Sequence, residues 1–158
     1  MATTFISRNQ KGFWVRDGIL EIWLRLAALH IHEPGKDDKD AKLLYEIRNN
    51  WLFASKGKLP GGVPFDLEKQ TNLEQGKAIV LKALMDLGAA LRRAPEELDK
   101  DTINILGFEG GRVVGNIETW RLIELNEAMI SLVNGKQYAD ATDKSFMPGC
   151  ALERKVVK

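Results

Sequence analysis

The sequence predicts an all-α fold: a bundle or orthogonal array of four main helices plus a short one, packed around a long apolar N-terminal helix. Three observations carry this expectation. Residues 13–32, FWVRDGILEIWLRLAALHIH, are apolar on nearly every side, which is the pattern of a buried helix. Apolar residues then recur at three- and four-residue steps in three further stretches, the helical period. Between these stretches stand glycine and proline clusters that stop helices.

Residues 1–11 are polar and read as an extended lead-in, with Phe5 and Ile6 as the members placed on the core. The first helix is expected over 13–32, ended by Glu33, Pro34 and Gly35 because proline cannot continue the hydrogen-bond ladder. Its one charged row is Asp17, Glu21 and Arg25, four residues apart and therefore stacked on one side. Asp37, Asp38 and Asp40 suit the N-terminus of a second helix, expected over 38–55 with Leu43, Leu44, Ile47, Trp51 and Leu52 as its apolar side. Gly57 is the expected left-handed cap.

Residues 57–70, GKLPGGVPFDLEKQ, form the longest irregular stretch, and loops of that length are uncommon unless functional. Thr71 and Glu74 have capping-box spacing. The third helix is expected over 72–93, with Val80, Leu84, Leu87 and Leu91 inward. Gly88 leaves room for close approach of another helix. Pro95 suits the first turn of a short helix to about 106. A loop follows over 107–115, with a small hairpin at Gly110 and Gly111 as the alternative. Asn116 is the expected N-cap of the last helix, over 117–134, whose core side is Leu122, Leu125, Met129 and Val133. Asn134 and Gly135 end it.

The length of 158 residues fits one domain, residues 1–158, with the lead-in 1–11 and an irregular tail 136–158. The formal net charge of +1 gives no basic excess, which argues against a nucleic-acid binder. The basic tail of Arg154, Lys155 and Lys158 is too short to act as an arm. The single cysteine, Cys150, gives no disulfide framework. Residues 1–12 lack the apolar run of a signal peptide. The charges at Asp17, Glu21 and Arg25 make a membrane span of the first helix unexpected. A soluble cytoplasmic protein is expected, with no cofactor and no metal.

Few residues carry chemistry. Gly110 and Gly115 have P-loop spacing, but Asn116 and Ile117 stand where lysine and a hydroxyl residue are needed. His30 and His32 point apart on a helix, and no second cluster has zinc spacing. The most informative group is Asp17, Glu21 and Arg25, with Glu46 and Arg48 on the second helix as partners. In an apolar setting such charges pair or shift their pKa. Two carboxylates one turn apart could act as acid and base. The plainer alternatives are a solvent stripe or a structural ion-pair network. Trp14, Trp23, Trp51 and Trp120 all fall on predicted helices. Trp14 and Trp120, near helix starts, are the candidates for anchoring a partner, against ordinary core packing.

These readings lead first to a protein-binding module acting by tight association with another protein, as an inhibitor, immunity-type protein or adaptor. The alternative is a small-molecule binder or enzyme with a charged pocket between the first two helices. The sequence names no catalytic residue and leans away from an enzyme. It leaves self-association open.

Overall fold

The chain begins with two strands, not with a lead-in and a long helix. The computed structural model describes residues 2–32, 35, 39–56, 62–105, 115–136 and 138–150. Strand β1 (Thr3–Arg8) and strand β2 (Lys11–Arg16) form an antiparallel hairpin. Asn9 and Gln10 turn it with φ of 55° and 67°. Two positive φ values in a two-residue loop make a type I′ turn, whose twist matches the strands it joins. Thr4, Ile6 and Arg8 lie opposite Val15, Phe13 and Lys11 on one side of the hairpin. Ile6, Phe13 and Val15 are buried, so the strand period of two puts that side against the core.

The predicted all-α class is therefore overturned, and so is the long apolar N-terminal helix. Phe13, Trp14, Val15 and Arg16 belong to β2, and helix α1 starts only at Asp17 (Asp17–Ala28). An apolar run satisfies strand and helix patterns alike. Here the Asn9–Gln10 turn and cross-strand pairs such as Phe5 with Trp14, ring centroids 5.5 Å apart, select the strand.

The remaining elements are α2 (Ala41–Ala54), α3 (Leu67–Thr71), α4 (Glu74–Arg93), β3 (Glu97–Leu98), α5 (Lys100–Ile105), β4 (Ile117–Glu118) and α6 (Thr119–Val133). The stretch read as irregular contains α3, capped by the Asp66 carboxylate, which accepts from the Lys69 N–H at 3.0 Å. Thr71 makes no capping box. Its hydroxyl donates to the Leu67 carbonyl and closes α3, while Leu73 precedes α4. Strands β3 and β4 pair antiparallel, Glu97 with Glu118 and Leu98 with Ile117. Asn116 therefore does not cap α6, whose N-cap is Glu118. The Asn116 side-chain oxygen accepts from the Lys100 N–H at the start of α5.

Helix α1 packs against α2, α4, α6 and β2. Leu20, Ile22, Trp23, Leu24, Ala27 and Ala28 are all buried on it. Contact on several sides explains why its sequence is apolar nearly all round. Trp23, Trp51 and Phe65 form a ring cluster in the core, with centroids 5.8 to 6.2 Å apart. Each indole is satisfied: Trp23 Nε1 donates to Asn126 Oδ1 at 3.0 Å and Trp51 Nε1 to Gln70 Oε1 at 2.7 Å. Buried Trp N–H groups need such partners.

Residues 138–150 form no helix or strand and lie along the hairpin and α6. Tyr138 and Phe146 stack on each other and meet Phe13 edge-on. The Gly12 N–H donates to the Ala139 carbonyl. At the far end Arg121 donates to the Gly149 carbonyl, and the Gly149 N–H donates to Glu124. Among the described residues no helix is long and apolar enough to cross a membrane. The Glu33–Pro34 stop, Asp37, Asp38, the Gly57 cap, the Gly110–Gly111 turn and the basic residues Arg154, Lys155 and Lys158 lie outside the described residues.

Candidate functional site

The row on α1 is half-buried along its length at Asp17, Glu21 and Arg25. Asp17 opens α1, where a carboxylate suits the positive end of the helix dipole. Its Oδ1 accepts from the Thr4 hydroxyl at 2.7 Å, tying the helix start to β1. One turn on, Glu21 is held above the ordinary carboxyl range by burial first and by the neighbouring Asp17 charge second. Glu46 and Arg48 are two residues apart on α2, which places them on different sides of that helix; Glu46 is exposed and Arg48 half-buried.

The two tryptophan candidates are both half-buried, and each makes intramolecular contacts. Trp14 lies on β2, where its Nε1 donates to the Ala141 carbonyl at 2.9 Å and Lys144 sits 4.5 Å over the ring. Trp120 is in the first turn of α6. Its Nε1 donates to Glu118 at 2.7 Å and the Arg121 guanidinium lies 4.9 Å over its ring. Cation–π contacts of this kind add an attraction between the cation and the ring face.

A surface recess lies elsewhere, between α4 and α6. Helix α4 contributes Met85, Gly88 and Arg92, and helix α6 contributes Ile123, Asn126, Glu127 and Ile130. Residues at i, i+3 and i+7 share a helix face, so each wall is a two-turn stripe. None of Asp17, Glu21, Arg25, Glu46 and Arg48 lines it, nor do Trp14 and Trp120. The groove holds about 240 Å³. Met85 stands on its rim and is 64% exposed.

Gly88 explains the depth of the groove. A Cβ there would meet Asn126 Nδ2 at 3.1 Å, so a larger residue would push the Asn126 amide back by a few tenths of an ångström, and glycine lets it sit this close to α4. Asn126 is buried, and both ends of its amide are used. Oδ1 accepts from Trp23, and Nδ2 donates to the Leu84 carbonyl at 2.8 Å. One end of the groove carries an Arg92–Glu127 ion pair of 3.5 Å, with both side chains well exposed. Such a pair contributes little to stability. What remains for contact is mostly apolar: the Met85 thioether and the Ile123 and Ile130 side chains.

The sequence marks Gly88 as a point of helix approach, yet it gives no sign that Met85, Ile123 and Ile130 would share a groove. That depends on which two helices become neighbours, and single-helix stripes do not encode it. Among the described residues no three metal-ligating side chains converge. Compared with protein-family models, with curated proteins and with solved structures, the chain shows no significant match.

Proposed function

We propose that this protein is a protein-binding module whose α4–α6 groove receives an apolar side chain of a partner protein. The observation that carries this reading is the size and lining of the groove. Small-molecule sites usually enclose about 300–1,000 Å³ with several convergent polar groups. A groove of about 240 Å³ is smaller, and its buried amide is already engaged within the chain. It suits one large apolar anchor, the usual centre of a protein–protein contact. Met85 supports the reading, because methionine is adaptable and is favoured at binding surfaces.

The test is a quantitative capture from native lysate with the wild type and with Met85→Glu. Met85 is mostly exposed, so the variant keeps the fold. The reading expects one protein recovered near one-to-one by the wild type and lost with the variant. Recovery that is equal for both, or no recovered protein, overturns it.

A second reading is a small-molecule binder or enzyme that uses the charges on α1. The observation favouring it is Glu21, half-buried beside Asp17 with a raised pKa, since shifted carboxyls cluster at functional sites. It expects Glu21→Gln to abolish a thermal-shift response to some metabolite. An unchanged response counts against it.

A further inference from the structure

The α4–α6 groove also constrains the shape of what can lie in it. The two helices run antiparallel: Leu84 meets Asn126, while Glu96, beyond the end of α4, meets Thr119 at the start of α6. The apolar face continues past the groove along α4. Ala78, Leu81, Met85, Gly88 and Ala89 recur at three- and four-residue steps, the spacing of one helix face. Ala78 and Ala89 are exposed, and Leu81 and Gly88 are half-buried. From Ala78 to Arg92 this face covers about four turns, or about 21 Å. A lone anchoring side chain would use one turn of it.

The walls hold no hydrogen bonds in reserve for a partner's backbone. Along the groove the N–H and C=O groups of α4 and α6 belong to their own helical ladders, and the Asn126 amide is engaged at both ends. An extended chain laid on this face would bury N–H and C=O groups with nothing to pair them. A helix pairs its backbone internally and brings only side chains to the contact. Gly88 and Ala89 keep the middle of the face low, so a third helix axis can approach closely. The two flanks also differ in charge. Lys82 and Arg93 stand on the α4 flank, with Asp86 paired to Lys82 at 3.3 Å, and Glu124 and Glu127 stand on the α6 flank. Turning a helix end for end with its apolar side held down exchanges its flanks, so this asymmetry sets the direction in which it lies.

We propose that the partner presents an amphipathic helix of about four turns, laid along α4 and α6 as the third helix of a layer. The inference rests on the reading of the groove as a protein-binding site and names the class of partner it takes. One large apolar side chain of that helix enters the recess lined by Met85, Gly88 and Ile130. Apolar residues three, four and seven positions away rest on the face that Leu81 and Ala78 continue. The helix is acidic on the flank beside α4 and basic on the flank beside α6. Those rim charges contribute little energy and select orientation.

The experiment selects binders to the full chain from a displayed library of random peptides about 16 residues long, enough for four turns. Their affinities are then measured by fluorescence polarisation against wild type, Met85→Glu and Ala78→Glu, each checked for an unchanged circular dichroism spectrum. Ala78 is exposed and lies outside the recess, seven residues from Met85, so a long helix senses the substitution and a lone side chain does not. The selected peptides are expected to carry apolar residues at three- and four-residue steps. They are expected to bind each variant at least about tenfold more weakly, and to lose binding when a residue in the middle of their polar side becomes proline. Peptides that depend on Met85 but lack helical spacing, survive the proline or bind Ala78→Glu as well as wild type overturn the helix and leave the protein-binding reading standing. No peptide weakened by Met85→Glu overturns both. A wild-type chain at twice its mass that Met85→Glu splits would seat a second copy in the groove, and also overturns the proposal.

Discussion

Asn126→Ala tests the join between α1, α4 and α6. Asn126 Oδ1 is the acceptor for the buried Trp23 indole N–H, 3.0 Å away. Removing it leaves a buried donor without a partner, which costs about 1–3 kcal/mol. The lost bond from Asn126 Nδ2 to the Leu84 carbonyl adds less, because that carbonyl keeps its place in the ladder of α4. Asn126 also lines the groove, so its removal opens a path by which water can reach the indole, and a bridging water recovers part of the loss. These effects together place the cost at about 2 kcal/mol. For a chain of this size that corresponds to a fall in Tm of about 4–8 °C. The assay is urea unfolding followed by circular dichroism, within a double-mutant cycle with Trp23→Phe. Phenylalanine has no N–H to orphan, so Asn126→Ala should cost about 1 kcal/mol less in that background. Equal costs in the two backgrounds would refute the reasoning, since they would mean that the two side chains do not interact.

Two further outcomes follow from the same structure. Gly12→Ala places a Cβ 1.7 Å from the Ile6 carbonyl oxygen. The hairpin must shift to admit it, at a cost of about 3 kcal/mol in urea unfolding, and a loss below about 0.5 kcal/mol contradicts the β1–β2 register. Glu21→Gln tests the raised carboxyl. A carboxyl whose folded pKa is raised contributes stability that is full below its unfolded pKa and is lost as pH rises through its folded value. Glutamine does not titrate, so the variant should be more stable than wild type at neutral pH and lose that advantage near pH 4. A stability difference that does not change with pH would show that Glu21 is not destabilised by burial.

The long helices α4 and α6 were legible because their period is strong. Val80, Leu84, Leu87 and Leu91 on α4, and Leu122, Leu125, Met129 and Val133 on α6, are buried as their spacing requires. The hairpin was not legible, for two physical reasons. Its turn residues, Asn9 and Gln10, adopt positive φ without a glycine, so the strongest local signal for a type I′ turn is missing. Its apolar residues also run straight into α1. Phe13 and Val15 face the core, while Trp14 faces outward under Lys144, so the period of two shows only once the partner strand is known. The row of Asp17, Glu21 and Arg25 could be read directly, but its tie to Thr4 could not. That contact joins a helix to a strand thirteen residues away. The groove was hidden for a similar reason, because pairing of α4 with α6 is a tertiary fact.

A photo-crosslinking residue placed at Met85 tests the proposed function most directly, with a second placed at exposed Asp101 on α5 for comparison. Irradiated in its native cells, the protein labelled at 85 should give one covalent adduct with a single other protein, and the protein labelled at 101 should give none. The same adducts from both positions, or no adduct at 85, would contradict a partner seated in the α4–α6 groove.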